Sequence, residues 1–455
     1  MTEATPGGAP PATRRVRVRL LVLAGVALAV LLLGAAVLAH LVARLDTPEF
    51  KRALLDRASA ALGARVQART MEVSLLEGVT LEGVTVGNPP PLPGTLVAAD
   101  AFVLRYRLWP LLRGRVELAK LAAEKPVLDL AMDGRGVFNY EKLGGAKATP
   151  SLPSAGTLPV DLEITQLSVS GGRITVRDPR TALMKAEGAD FKSSVRAAGS
   201  SVDAQGTLRV ATLNLADTFF VRGLEAPLKA SRGILTLDPV RGALGGGDVR
   251  GDVVVRFQDG FHFTGRMAVK RAQLQKLLAE ARARPTASGL LTADATIEGT
   301  GGLATLKGKG QAQVEDCRVN QSALMALLAA VLRVPELAHP DLDECRATFT
   351  LGGGRLVNPS LSLRGPALQL TGHGVTRLDT QAIDYEMTLA LGAALVQRIP
   401  TPELRAAFKE RGDGFSTVDF KVTGTTSAPH SDLALRVGQA AAESGLKKFL
   451  RRKFF

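Results

Sequence analysis

Residues 71–86 read MEVSLLEGVTLEGVTV. Apolar side chains alternate with polar ones: Val73 and Leu75, then Gly78, then Val79 and Leu81, then Gly83, then Val84 and Val86. A period of two punctuated by glycine predicts strand, turn and strand, with one apolar and one polar face. The same period continues downstream. Leu96, Ala98, Phe102, Leu104, Tyr106 and Leu108 alternate with Arg105 and Arg107. Val116, Leu118, Val127, Leu128 and Leu130 follow, then Leu162, Ile164, Leu167, Val169, Ile174 and Val176. Further groups begin at Ile234 and Val253, and again at Ala347, Leu361–Leu363, Leu368–Leu370, Tyr385–Leu389 and Phe420–Val422. About 25 short strands in sequence predict meandering antiparallel pairing, because no strand–helix alternation appears. Twist accumulates across so many strands and curls an open sheet into a trough.

Helices interrupt this pattern at few places. Thr47-Pro48-Glu49 is a helix start and Gly63 a stop, with Phe50, Leu54, Leu55, Ala58, Ala61 and Leu62 at helical spacing. A second helix is predicted over about 270–283 and a third over Ala323–Leu332, and Thr401-Pro402-Glu403 repeats the start signature. Ten apolar residues at 323–332 are too few to span a bilayer and predict a buried helix.

The chain is 46% hydrophobic but only 4% aromatic, with a net charge of +14 over 455 residues. The scarcity of aromatic rings argues against nucleobase stacking, and no nucleic-acid partner is expected. Charge position supports this. Residues 1–19 carry Arg14, Arg15, Arg17 and Arg19 against Glu3, and the last ten carry Lys447, Lys448, Arg451, Arg452 and Lys453 with no acid. More than half of the net charge therefore sits at the two ends. Residues 20–42 are apolar except for His40. At ~1.5 Å per residue, such a segment spans a hydrocarbon core of about 30 Å. The arginines ahead of it keep residues 1–19 in the cytoplasm and export the rest. A cleaved signal peptide is the alternative, with Val37-Leu38-Ala39 as a cleavage pattern, but the apolar run exceeds the usual ~7–15 residues. At the other end, Leu446, Phe449, Leu450 and Phe454 fall on one helical arc, with Lys447, Lys448, Arg451 and Arg452 opposite. Such a basic amphipathic segment suits an anionic lipid surface. A frayed terminus that touches nothing is the other reading.

The search for chemistry finds little. The five histidines are His40, His262, His339, His373 and His430, with no pair at helical ligand spacing. Gly308-Lys309-Gly310 lacks the flanking residues of a phosphate loop and reads as a strand-edge turn. Glu315-Asp316 and the group Asp341, Asp343 and Glu344 read as solvated turns. Cys317 and Cys345 are the only cysteines. Export permits a disulfide between them, which is the expectation; two reduced, buried thiols are the alternative. No catalytic, metal or cofactor site is expected.

Several motifs occur in a familiar order: Leu62-Gly63-Ala64-Arg65-Val66, Ser74–Leu81, Val84–Asn88, Trp109-Pro110-Leu111-Leu112-Arg113-Gly114 and Pro126-Val127-Leu128. Gly233–Gly251 follows, then Gly353-Gly354-Arg355-Leu356, Gly372-His373-Gly374, Ile383-Asp384-Tyr385 and Val422-Thr423-Gly424-Thr425. Together they resemble the AsmA-like family of Gram-negative envelope proteins, related to TamB and to chorein-type bridge-like lipid transfer proteins. The resemblance implies an inner-membrane-anchored periplasmic β groove tied to phospholipid traffic and outer-membrane homeostasis, with no catalytic residues.

The expected fold is mainly β: a transmembrane helix, then a long, curled, antiparallel β-sheet groove with a few amphipathic helices. The expected division is a cytoplasmic basic tail (1–19), transmembrane helix (20–42), chorein-like module (43–143), linker (144–158), middle β region (159–288), AsmA-like C-terminal β region (289–430) and basic amphipathic tail (431–455). The groove candidates are Val73, Leu75, Val79, Leu81, Phe102, Leu104, Leu162, Ile164, Leu361, Leu363, Leu368 and Leu370. Each methylene held in water costs about 0.8 kcal/mol, so an aliphatic trough eases the passage of acyl chains without chemistry. The expected function is binding or transfer of phospholipids between envelope membranes, with the outer membrane or envelope proteins as further partners. The alternative is a scaffold or assembly factor for outer-membrane proteins that carries no lipid.

Overall fold

The computed structural model describes residues 47–435, apart from 75–77, 91, 112–115, 133–137, 144–161, 178–181, 199–200, 257–261, 284–285, 301–304, 321 and 434. The expected basic tail, membrane segment 20–42, linker 144–158, Leu75 and tail residues Leu446–Arg452 and Phe454 lie outside the described residues. Among the described residues, no helix is long and apolar enough to cross a membrane. The protein is mainly β, with 22 strands and a few short helices among the described residues. It divides into two units, Met1–Gly242 with Gly251–Thr264, and Ala243–Arg250 with Gly265–Phe455.

In the first unit, helix α1 (Pro48–Leu62) starts at the predicted proline and ends at Gly63, φ +61°. Proline suits the first turn because its missing N–H has no intrahelical partner there, and glycine takes the left-handed cap without a Cβ clash. Strands β1 (Val66–Gln67), β2 (Thr70–Ser74), β3 (Gly78–Gly87) and β4 (Thr95–Tyr106) follow. Then come α2 (Leu108–Leu111), β5 (Val116–Glu124) and β6 (Val127–Ala131). Next are β7 (Leu162–Arg177), β8 (Ala182–Ala198), β9 (Ser201–Leu215) and β10 (Phe219–Ser231). β1 and β2 share β3 as partner, β3 pairs with β4, and β4 pairs with both β5 and β6.

The pairing corrects the simple antiparallel meander. β5 and β6 follow one line, interrupted at Lys125 (φ +42°), and both run parallel to β7. A parallel junction needs a crossover of about a dozen residues or more. Thirty residues lie between Ala131 and Leu162, which suffices. Beyond it the antiparallel pattern resumes through β8, β9 and β10.

Strands β11 (Ile234–Leu244), β12 (Gly247–Arg256) and β13 (His262–Gln273) lead into the second unit. Helix α3 (Leu274–Glu280) is shorter than predicted because β13 extends to Gln273. β14 (Ala287–Gly299) and β15 (Lys307–Val319) then pair. Helix α4 (Ala323–Leu332) has the predicted bounds, with Ser322 Oγ accepting from the Met325 N–H at its start. β16 (Asp341–Gly352), β17 (Arg355–Arg364), β18 (Leu368–Arg377) and β19 (Ala382–Gly392) form an antiparallel run. Short helices α5 (Ala393–Arg398) and α6 (Pro402–Ala406) precede β20 (Lys409–Glu410), β21 (Phe415–Thr425) and β22 (Pro429–Ser431). Gly308-Lys309-Gly310 is not a turn but the start of β15, and the carboxylates at 315–316 and 341–344 are strand residues. Glycine is needed at 310 because a Cβ would lie 2.3 Å from the Asp294 carbonyl oxygen across the pair.

Candidate functional site

Paired strand residues share a face, so register alone places side chains. In the first unit, one row across the sheet reads Val73, Val79, Leu104, Leu121, Leu167, Ser193, Gly206, Leu228. The next reads Met71, Leu81, Phe102, Ala123, Val169, Phe191, Leu208, Ala226. A third runs Val66, Val86, Val97, Leu128, Ile174, Ala186, Leu213, Val221. Tyr106, Leu118, Ile164, Val195, Ala204 and Ala230 form a shorter one. The first two rows cross eight strands, a path of ~34 Å at ~4.8 Å per strand. Only Ser193 breaks their apolar character, and its hydroxyl is turned onto the Ser194 and Gln205 carbonyl oxygens at 3.0 Å each.

The opposite face is charged. Arg196 meets Glu163 at 3.2 Å, Arg209 meets Glu225 at 2.8 Å, Arg177 meets Asp129 at 2.7 Å and Lys125 meets Asp100 at 3.2 Å. Exposed pairs of this kind contribute about 0–1 kcal/mol each, so they fix which face is wet more than they stabilise.

A line of left-handed residues crosses the same strands: Gly83 on β3, Lys125 between β5 and β6, Gly171 on β7, Gly188 on β8 and Gly223 on β10, all with φ between +42° and +62°. They sit at one level. Lys125 donates its N–H to the Ser170 carbonyl at 2.7 Å, and the Gly171 N–H donates to Asp190 Oδ1 at 2.8 Å. Gly188 and Gly223 both lie opposite Ala211. Each such residue bends its strand, so the sheet is creased along a line that runs with the apolar rows.

Coverage of the apolar face differs along the chain. Leu54 of α1 packs with Met71, against which Leu55, Val73 and Leu81 also pack, so the helix covers β2 and β3. Leu104, Leu118, Leu121 and Ile164 form a buried cluster with Phe102, Leu162 and Leu167 half-buried around it. Farther along, Val169, Phe191, Leu208 and Leu213 are half-buried, while Ser193, Val210, Ala226 and Leu228 on β8–β10 are buried. Val79 is half-buried in the first row.

The second unit has equivalent rows, such as Val314, Cys345, Leu363, Leu370, Leu389, Val418. There, however, Met325, Leu328, Ala329 and Leu332 of α4 pack onto the same cluster as Leu337, Ile399, Phe408 and Leu433. Leu370 is 0% exposed and Leu368 3%. The candidates Leu368 and Leu370 are thus packed core under helices rather than an open lining, and Leu361 and Leu363 are half-buried against the same cluster. Hydrophobicity at period two reads the same in both settings, so the sequence did not separate them.

Cys317 and Cys345, expected as a disulfide, stand as free, buried thiols on the adjacent strands β15 and β16. A hydrogen bond from Cys345 holds the Cys317 thiol below its ordinary range, while donating it and burial push Cys345 up.

Strands β8, β9 and β10 have no counterpart among the strands expected from the sequence. Their inward positions include Ala186, Ala189, Ser193, Ala197, Ala204 and Gly206, residues too small or polar to register as hydrophobic alternation. The signal was there in Phe191, Leu208, Val210, Leu224 and Leu228. A model of the AsmA family matches residues 18–213. No curated protein and no solved structure matches the chain.

Proposed function

With residues 18–213 assigned to an AsmA-like family as the premise, we propose that this chain is a non-enzymatic phospholipid-handling protein of the bacterial envelope. Residues 20–42 anchor it in the inner membrane, the body lies in the periplasm, and acyl chains lie along the apolar rows of β2–β10. The observation that carries the reading is the pair of rows crossing eight strands without an unsatisfied polar group, backed by a charged face. A two-chain lipid leaving a bilayer faces about 0.8 kcal/mol per methylene exposed to water. Apolar rows of weak chemical specificity lower that cost along the path.

The test is photocrosslinking from the full chain in cells. A photoreactive residue at the inward Phe191 or Leu208 is expected to give lipid adducts, and one at the outward Lys192 or Arg209 none. Protein adducts alone at the inward positions would sink the lipid reading and favour a scaffold for envelope proteins.

A further inference from the structure

The chain contains a single tryptophan, and it is 76% exposed. Trp109 lies in α2, directly after β4, at the strand end where the Tyr106 hydroxyl donates to the Ser74 carbonyl at 3.1 Å. An exposed indole, apolar in its ring and polar at its N–H, suits an apolar, partly wet partner. The direction of α1 says which partner is nearest. Near the C-terminal end of α1, Ser59 accepts from the Val66 N–H. Farther back, Leu54 and Leu55 pack by Met71 and Val73. The helix therefore runs against β1 and β2. Its first residue lies about 10 Å beyond Leu55 at ~1.5 Å per residue, level with the end of β2. Thr47 thus leaves the fold at the Trp109 end of the sheet. Four residues lie between it and Val42, a reach of at most ~18 Å over the five Cα steps. A bilayer holding residues 20–42 must lie within that reach. Val202, 43% exposed, sits at the same strand end, in the row Val116, Leu162, Ala197, Val202.

We infer that Trp109 seats in the headgroup region of the bilayer that residues 20–42 enter, and so holds this open strand end of the apolar face against the membrane. Indole rings favour that depth because the ring is apolar and its N–H still finds water or a phosphate oxygen. The inference rests on the anchor reading of residues 20–42 and assigns the strand end of the sheet that meets that bilayer.

The single tryptophan makes the native chain its own probe. Full-length protein in vesicles of phosphatidylethanolamine and phosphatidylglycerol is compared with the same vesicles containing lipid brominated near the glycerol end of its acyl chains. Trp109 emission is expected to be at least halved by that lipid, to be quenched less by lipid brominated near the chain ends, and to be shielded from aqueous iodide. Trp109→Phe removes the signal and confirms its source. Unquenched emission that iodide reaches, from protein that still floats with vesicles, would overturn the seat and leave the anchor standing. Stronger quenching by the chain-end label would also overturn it, placing the ring inside the bilayer or the protein's own groove. Failure of the full chain to float would remove the anchor reading and the seat together.

Discussion

A left-handed residue within a strand carries two separable costs, and the crease in this sheet isolates them. Gly188 and Gly223 have φ +62° and +57° and face the same residue, Ala211. A Cβ on Gly188 would lie 2.8 Å from the Ala211 Cβ, whereas one on Gly223 would meet nothing within 4 Å. Left-handed backbone costs a side chain about 1–2 kcal/mol. Gly223→Ala should therefore lower stability by roughly that amount, and Gly188→Ala by ~1 kcal/mol more for the clash. Thermal unfolding of the two variants checks this, and equal losses would mean that the clash relaxes freely. Cys317 and Cys345 give a second prediction at this scale. Standing as free, buried thiols, they should resist alkylation in the folded protein. Both are expected to alkylate on unfolding in protein isolated without reductant, and a mass two hydrogens below that of the reduced chain would count against the free pair.

Helix α4 decides what the C-terminal rows can do. Its bounds and its burial were legible in the sequence, because ten apolar residues ended by Arg333 admit few readings. What it covers was not legible. Leu368 and Leu370 alternate as Phe102 and Leu104 do, and only tertiary packing sets them beneath Leu328 and Leu332. The long strands β8–β10 were hidden for the opposite reason: alanine, glycine and serine face inward there, which narrows the side-chain layer along the crease. The parallel junction of β5 and β6 with β7 was not legible either, since pairing direction leaves no mark on a period of two. Two results should follow from the coverage. Leu328→Ala, at 0% exposure, should cost about 2–5 kcal/mol by cavity formation. A photoreactive residue at Leu370 should give no lipid adduct, unlike one at Leu208. Lipid adducts at Leu370 would mean that α4 lifts from the sheet.

Across the molecule the arrangement matters most as a series. Rows that merely bind lipid lose capacity in proportion to the positions spoiled, but rows that conduct lipid fail at a single interruption. Val169 lies between Phe102 and Leu208 in one row, on the strand that joins the parallel and antiparallel halves of the first unit's sheet. Glutamate there would set a carboxylate in the path, and an acyl chain passing it would have to strip water from the charge, at a cost of several kcal/mol. The half-buried position lets the charge reach solvent when no lipid is present, so the fold should tolerate Val169→Glu. With this change, a photoreactive residue at Phe102, on the α1 side of Val169 in the row, should still capture lipid, and one at Leu208 should lose its adducts. Equal loss at both probes would mean that the sheet itself is disturbed, which thermal unfolding would reveal. Undiminished adducts at Leu208 would show that lipid reaches β9 without passing β7, and the rows would then be separate binding patches rather than one path.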